Sequence, residues 1–259
     1  MNPMIQQKQS VVCSRVRLTK RNTIRNIFIS FGALFALAQL LAAGTSDGVF
    51  NFSKTPFRRP QPRIITFDAP GAGTGVSQGT QSFAITPGGD VTGFYFDATS
   101  AVHGFLRDKN GLITTFDLPG GGTGFQQGTY GGGFTPNGSV LGVLIDANTV
   151  NHGFLLDKDG TVTTFDAPDA GTGIQQGTLP WGVNTSGAIT GWYVDNSYVH
   201  HGFVRDKHGV LTEFDVPGAG TGPFQGPSVY NIAPNGTVAG FYLDSNNTFH
   251  GFVRESGGQ

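Results

Sequence analysis

From Ser82 to Asp117 apolar residues alternate with polar or small ones in four short stretches: SFAIT from Ser82, VTGFYFD from Val91, VHGFLRD from Val102 and LITTFD from Leu112. A period near two, carried by Phe, Val, Ile and Thr, predicts β-strands, and no stretch here has the 3.6-residue period of a helix. Turn chemistry separates the strands. Pro87-Gly88-Gly89 joins the first to the second, and Asp108-Lys109-Asn110-Gly111 joins the third to the fourth. Glycine there supplies the positive φ that tight hairpins require.

The same pattern returns at a fixed interval of 49 residues. Phe-Asp-X-Pro begins at Phe67, Phe116, Phe165 and Phe214, and His-Gly-Phe at His103, His152, His201 and His250. Gln-Gly recurs at Gln78, Gln127, Gln176 and Gln225, and an aspartate at Asp97, Asp146, Asp195 and Asp244. Four antiparallel strands in about 50 residues is the size of a propeller blade. The expected fold is therefore all-β, a four-bladed β-propeller over residues 63–259. The last unit stops in its third-to-fourth turn, while Ile64–Phe67 reads as a fourth strand with no predecessors. Ile64–Phe67 is expected to close the ring as the outer strand of the last blade, leaving no open edge.

Charge divides the chain. Residues 1–63 hold ten Lys/Arg against one Asp; residues 64–259 hold six Lys/Arg against sixteen Asp/Glu, a formal charge of −10. An acidic repeat region excludes nucleic acid as a partner, since phosphate backbones demand a basic face. The basic segment to Arg25 is followed by Ile27–Ala43, IFISFGALFALAQLLAA, and then by small and polar residues. Basic, apolar, then small and polar is the order of an export signal. Residues 1–44 are thus read as a signal peptide cleaved near Ala43 or Gly44, with an uncleaved anchor as the alternative; only the anchor would bring a membrane into play. Residues 45–62, with three prolines, read as a linker. Cys13, the single cysteine, lies in the basic segment, so a processed protein would hold no disulfide.

HGFLRDKNG and its copies, in a chain with an export signal, resemble the bacterial extracellular repeat known as the HAF family, with Gly104, Gly153, Gly202 and Gly251 where that motif has alanine. The resemblance covers the third strand of every unit. It implies an extracellular bacterial protein and no established activity; the export signal itself sets the expected address as secreted, periplasmic or cell-surface.

Strand alternation places the second-to-third loop and the long fourth-to-first loop on one face, where binding residues concentrate on a rigid scaffold. Asp97/His103, Asp146/His152, Asp195/His201 and Asp244/His250 stand at facing strand ends there. Each pair is either a buttress for the long loop or a ligand site contacting sugar hydroxyls. Gln78, Gln127, Gln176 and Gln225 precede the first strands and either tie loops together or ring an axial ion or water. The histidines lie too far from the axis to converge on one metal ion, and no cofactor is expected. Gly71-Ala72-Gly73-Thr74-Gly75 lacks the following helix of a phosphate-binding loop. Equivalent first-strand positions hold Phe83, Gly132, Trp181 and Tyr230; core packing accounts for most such aromatics, with Trp181 and Tyr230 the candidates for ligand contact.

Catalysis needs one asymmetric set of groups, and nearly every polar feature here occurs fourfold. The expectation is a non-catalytic binding module for extracellular carbohydrate, with a scaffold protein that contacts other extracellular proteins as the alternative.

Overall fold

The computed structural model describes residues 63–257, and the chain divides into Met1–Pro62 and Arg63–Gln259. The basic segment, the apolar stretch Ile27–Ala43 and the linker lie outside the described residues. Among the described residues there is no helix, and so none long and apolar enough to cross a membrane.

Among the described residues fifteen strands follow one another in four units. The first unit comprises β1 (Gly79–Ile85), β2 (Val91–Phe96), β3 (Val102–Arg107) and β4 (Ile113–Phe116). The second has β5 (Gly128–Phe134), β6 (Val140–Ile145), β7 (Asn151–Leu156) and β8 (Val162–Phe165). The third has β9 (Gly177–Val183), β10 (Ile189–Val194), β11 (His200–Arg205) and β12 (Leu211–Phe214), and the fourth β13 (Gly226–Ile232), β14 (Val238–Leu243) and β15 (Phe249–Arg254). Strands pair antiparallel with their sequence neighbours inside each unit. Single parallel bridges, Val102 to Gly128 and Asn151 to Gly177, link successive units.

The repeated glycine of the third strand has a steric cause. A Cβ on Gly104, Gly153 or Gly202 would strike the ring of Phe116, Phe165 or Phe214, which lies flat across the strand. That ring then meets the next unit. Phe165 packs edge-on against Phe203 at 6.4 Å, and Arg205 lies over its face at 4.8 Å. Phe105, Phe154 and Phe203 are consequently fully buried, and the core consists of layers between consecutive units. Removal of any inner unit would strip two such layers, as expected of repeat architectures.

Each joint between units also uses strained backbone. Gln126, Gln175 and Phe224 are left-handed, as are Ser100, Thr149 and Tyr198. The amide of each of the first three donates to the carbonyl of its counterpart in the preceding unit, at 2.8, 2.7 and 2.6 Å. A left-handed non-glycine residue costs of order 1 kcal/mol and persists only where its surroundings hold it.

Ile64–Phe67 forms no ladder, and β15 has no outer partner among the described residues. Phe67 instead lies against Phe105 of the first unit at 5.8 Å, with Arg107 over its ring at 5.0 Å. These are the contacts that Phe165 makes to the unit following it. No ladder and no aromatic pair joins the first unit to the fourth among the described residues.

Candidate functional site

The loop face carries the repeated polar residues. Asp97 closes the turn after β2: its Oδ1 accepts from the amides of Thr99 and Ala101 at 2.8 and 3.0 Å. Asp146, Asp195 and Asp244 do the same for their turns. Burial alone would raise the Asp97 carboxyl, but the hydrogen bonds from Thr99, Ala101 and His103 outweigh it and hold the group below the usual carboxylate range. The Asp244 carboxyl is lowered too, chiefly by the amide of Thr248.

The remaining oxygen of each aspartate faces the histidine, at 3.4 Å for Asp97/His103, 3.9 Å for Asp146/His152, 3.5 Å for Asp195/His201 and 3.3 Å for Asp244/His250. The closer partner is one that sequence reasoning missed. Nδ1 of His103, His152 and His201 lies 2.8, 2.9 and 2.7 Å from Asp117, Asp166 and Asp215, the aspartate of the Phe-Asp-X-Pro motif. The signal was present, since that aspartate shares the 49-residue period. Tyr95, Tyr193 and Tyr242 stack on His103, His201 and His250; Leu144 takes the tyrosine's place beside His152. Clefts of about 290 and 430 Å3 lie beside His103 and His201.

Three of the four glutamine amides are engaged at both ends within the loops. Gln78 Oε1 accepts from the amide of Gly75 at 2.8 Å, while its Nε2 donates to the carbonyl of Ala98 at 2.9 Å. Gln127 and Gln225 repeat both bonds, and Gln176 repeats the first with Gly173. Each of these amides fastens its long loop, and the fully bonded ones tie it to the following turn. Among the described residues no group of three or more His, Cys, Asp or Glu side chains is arranged to hold a metal ion.

A second site lies on the first strands. In β1, β5, β9 and β13 the ladder skips one residue: Phe83, Gly132, Trp181 and Tyr230. Each is a β-bulge, a device that turns one side chain out of register and aims it elsewhere. The bulge brings the two backbones close, so a Cβ on the facing Gly142 would overlap the carbonyl oxygen of Tyr130 and lie 2.6 Å from the Phe154 ring. Facing glycines Gly93, Gly191 and Gly240 are held for the same backbone reason.

The bulged aromatics meet one another. Phe83 contacts Trp181 edge-on at 6.2 Å, and Trp181 contacts Tyr230 at 5.4 Å. Gly132, between them in the series, contributes no side chain. Its place opens a cavity of about 810 Å3 lined by Phe83, Phe94, Tyr130, Trp181, Tyr230 and Asn231 among others, with no charged residue. Phe83 and Trp181 remain 47% and 45% exposed. Burial pushes the Tyr130 phenol up to about 12 and raises that of Tyr230, so both hydroxyls stay protonated in neutral solution; that of Tyr130 donates to the carbonyl of Gln126 at 3.2 Å and keeps its lone pairs as acceptors, and that of Tyr230 can donate. Trp181 and Tyr230, singled out in the sequence, thus share one cavity; Phe83, read there as core packing, and the gap at Gly132 were placed at the equivalent positions without their part in a cavity, and Tyr130 was missed, because a bulge has no sequence mark of its own.

No family model matches this chain, and no curated protein matches it. A solved structure, the six-bladed β-propeller lectin of the fungus Aleuria aurantia with its fucose recognition mode, is similar over 68% of this chain at 14% identity and a TM-score of 0.28. This chain spans 62% of that lectin's length. At that level of similarity the lectin's ligand does not transfer.

Proposed function

We propose that the repeat region is a non-catalytic binding module of propeller type, with four blades and Ile64–Phe67 as the outer strand of the last, and that it takes a carbohydrate in the aromatic cavity opened at Gly132. The observation that carries this reading is the uncharged cavity walled by Phe83, Tyr130, Trp181 and Tyr230. Sugar rings offer apolar C–H faces that stack on aromatic side chains, and their hydroxyls need neutral donors and acceptors such as the two phenols and the Asn231 amide. The module is exported, as an HAF-type extracellular repeat, by the N-terminal signal.

The fourfold Asp/His set is a buttress in this reading. Its carboxylates hold turns and its imidazoles bridge loops, which favours order over ligand contact. A second reading keeps a sugar site at each His, supported by the clefts beside His103 and His201. Stoichiometry separates the two. Of the only two tryptophans, Trp181 lines the cavity and Trp192 lies 5.8 Å from it, so intrinsic fluorescence reports occupation of the cavity. Glycans selected on an array should change that fluorescence saturably at one per chain, and Trp181→Ala should abolish the binding. Up to four per chain with silent tryptophans would instead point to the Asp/His face. Silence across the array would favour the scaffold role, a surface that contacts extracellular proteins.

A further inference from the structure

The fourth unit presents every feature of an inter-unit joint without its other half. Among the described residues a Cβ on Gly251 would meet nothing within 4 Å, whereas the corresponding positions in the other three units are covered by a phenylalanine ring. His250 has one carboxylate neighbour, where His103, His152 and His201 each have two. Phe249 and Val253 are 68% and 69% exposed, while their first-unit counterpart Val102 is buried and Leu106 packs into the core of the next unit. The carbonyl of left-handed Asn247 accepts no backbone bond among the described residues, although those of Ser100, Thr149 and Tyr198 each take one from the next unit.

The missing halves all occur on the first unit. Phe67 and Asp68 stand 49 residues before Phe116 and Asp117, the pair that covers Gly104 and holds His103. Ser77 is left-handed like Gln126, Gln175 and Phe224, and its amide has no carbonyl partner among the described residues. Phe67 already lies on Phe105 and under Arg107, as Phe165 lies on Phe203 and under Arg205, but it covers no third-strand glycine among the described residues. Donor and receptor thus sit on the same chain, and no ladder or aromatic pair joins them among the described residues.

We propose that a second copy of this chain supplies the missing half: unit four of one molecule packs on unit one of another, and Ile64–Asp68 of that other molecule becomes the outer strand beside β15. Two copies exchanging strands reciprocally satisfy both ends of both chains, and such a closed pair leaves no edge for further growth. The strand adds antiparallel in the register of β3 with β4, so Gly251 faces Phe67 and Val253 faces Ile65. Asp68 then reaches Nδ1 of His250 as Asp117 reaches His103. This inference rests on the reading of Ile64–Phe67 as the outer strand and adds which molecule provides it.

The test uses the full chain with Cys13→Ser in every sample. Ile65→Cys and Val253→Cys are made on separate chains, mixed, and oxidised. The expected result is a disulfide-linked dimer on non-reducing gels, formed only when the two are mixed, with a native mass of two chains by light scattering. Gly251→Ala in the Val253→Cys chain should cut the cross-linked yield about tenfold, since its methyl occupies the seat of the Phe67 ring. If the two substitutions on one chain give only an internally bridged monomer, the strand is the outer strand but closes within its own molecule, and the exchange is overturned. If neither arrangement forms a disulfide, the outer-strand reading itself fails.

Discussion

Gly132→Phe tests the cavity and the bulge together. Gly132 occupies the bulge position that carries Phe83, Trp181 and Tyr230 in the other units, and its φ is not positive, so a side chain meets no backbone strain. An added Cβ would lie 3.6 Å from the carbonyl oxygen of Leu141 and 3.9 Å from Gly142 Cα, both ordinary contacts. A ring as exposed as Phe83 would bury about half of its roughly 200 Å2, or about 100 Å2, for about 2.5 kcal/mol of apolar burial. Loss of rotamer freedom costs about 0.5–1 kcal/mol, and removing a glycine from the unfolded chain returns a similar amount. The net expectation is about 2 kcal/mol of added stability, or roughly 4–8 °C in Tm for a domain of this size. Urea and thermal denaturation of the variant against the parent measure it, and fluorescence titration of a glycan that binds the parent should show binding lost. The neighbouring glycine gives the opposite sign: a Cβ on Gly131 would lie 2.7 Å from the carbonyl oxygen of Gly93, so Gly131→Ala should destabilise. A Gly132→Phe protein that is less stable than the parent, or that is more stable and still binds glycan, would refute the assignment of this cavity.

Phe154→Ala should cost about 3–5 kcal/mol in denaturant titrations, because the ring is fully buried between the second unit and the first. Gly142→Ala should be comparably severe, since the added methyl meets backbone and a buried ring; a loss below about 1 kcal/mol would show that the bulge relaxes. Asp146→Ala removes the acceptor for the amides of Asn148 and Val150 and should cost about 1 kcal/mol, with Asp146→Asn recovering most of it. The carboxyls of Asp97, Asp108, Asp159, Asp206 and Asp244 are all lowered in the folded protein. Their contribution is therefore complete above the unfolded carboxylate value of about 3.9 and is lost as pH falls through the lower folded values. His200, whose imidazole is held below its ordinary value by burial, makes the folded state lose ground earlier, so a thermal-shift series should decline modestly as pH falls below about 6.5 and further below about 4.

The 49-residue period, the all-β character, the strand boundaries to within a few residues and the hairpin turns were legible because each rests on local chemistry: alternation sets strands, and glycine at positive φ sets turns. The Asp97/His103 proximity was legible for the same reason, since a tight turn brings its two ends together whatever the rest of the chain does. Partners fixed by packing were not. Asp117 reaches His103 only because β4 folds back along β3, and the Phe116 ring covers Gly104 only in that register. The bulges that present Phe83, Trp181 and Tyr230, and the cavity left by Gly132, depend on how one ladder absorbs an extra residue. What lies beside Ile64–Phe67 belongs to the same class. The repeat specifies which surfaces are complementary, but the placement of whole units in three dimensions determines whether they meet, and here Phe67 rests on Phe105 while no described residue covers Gly251.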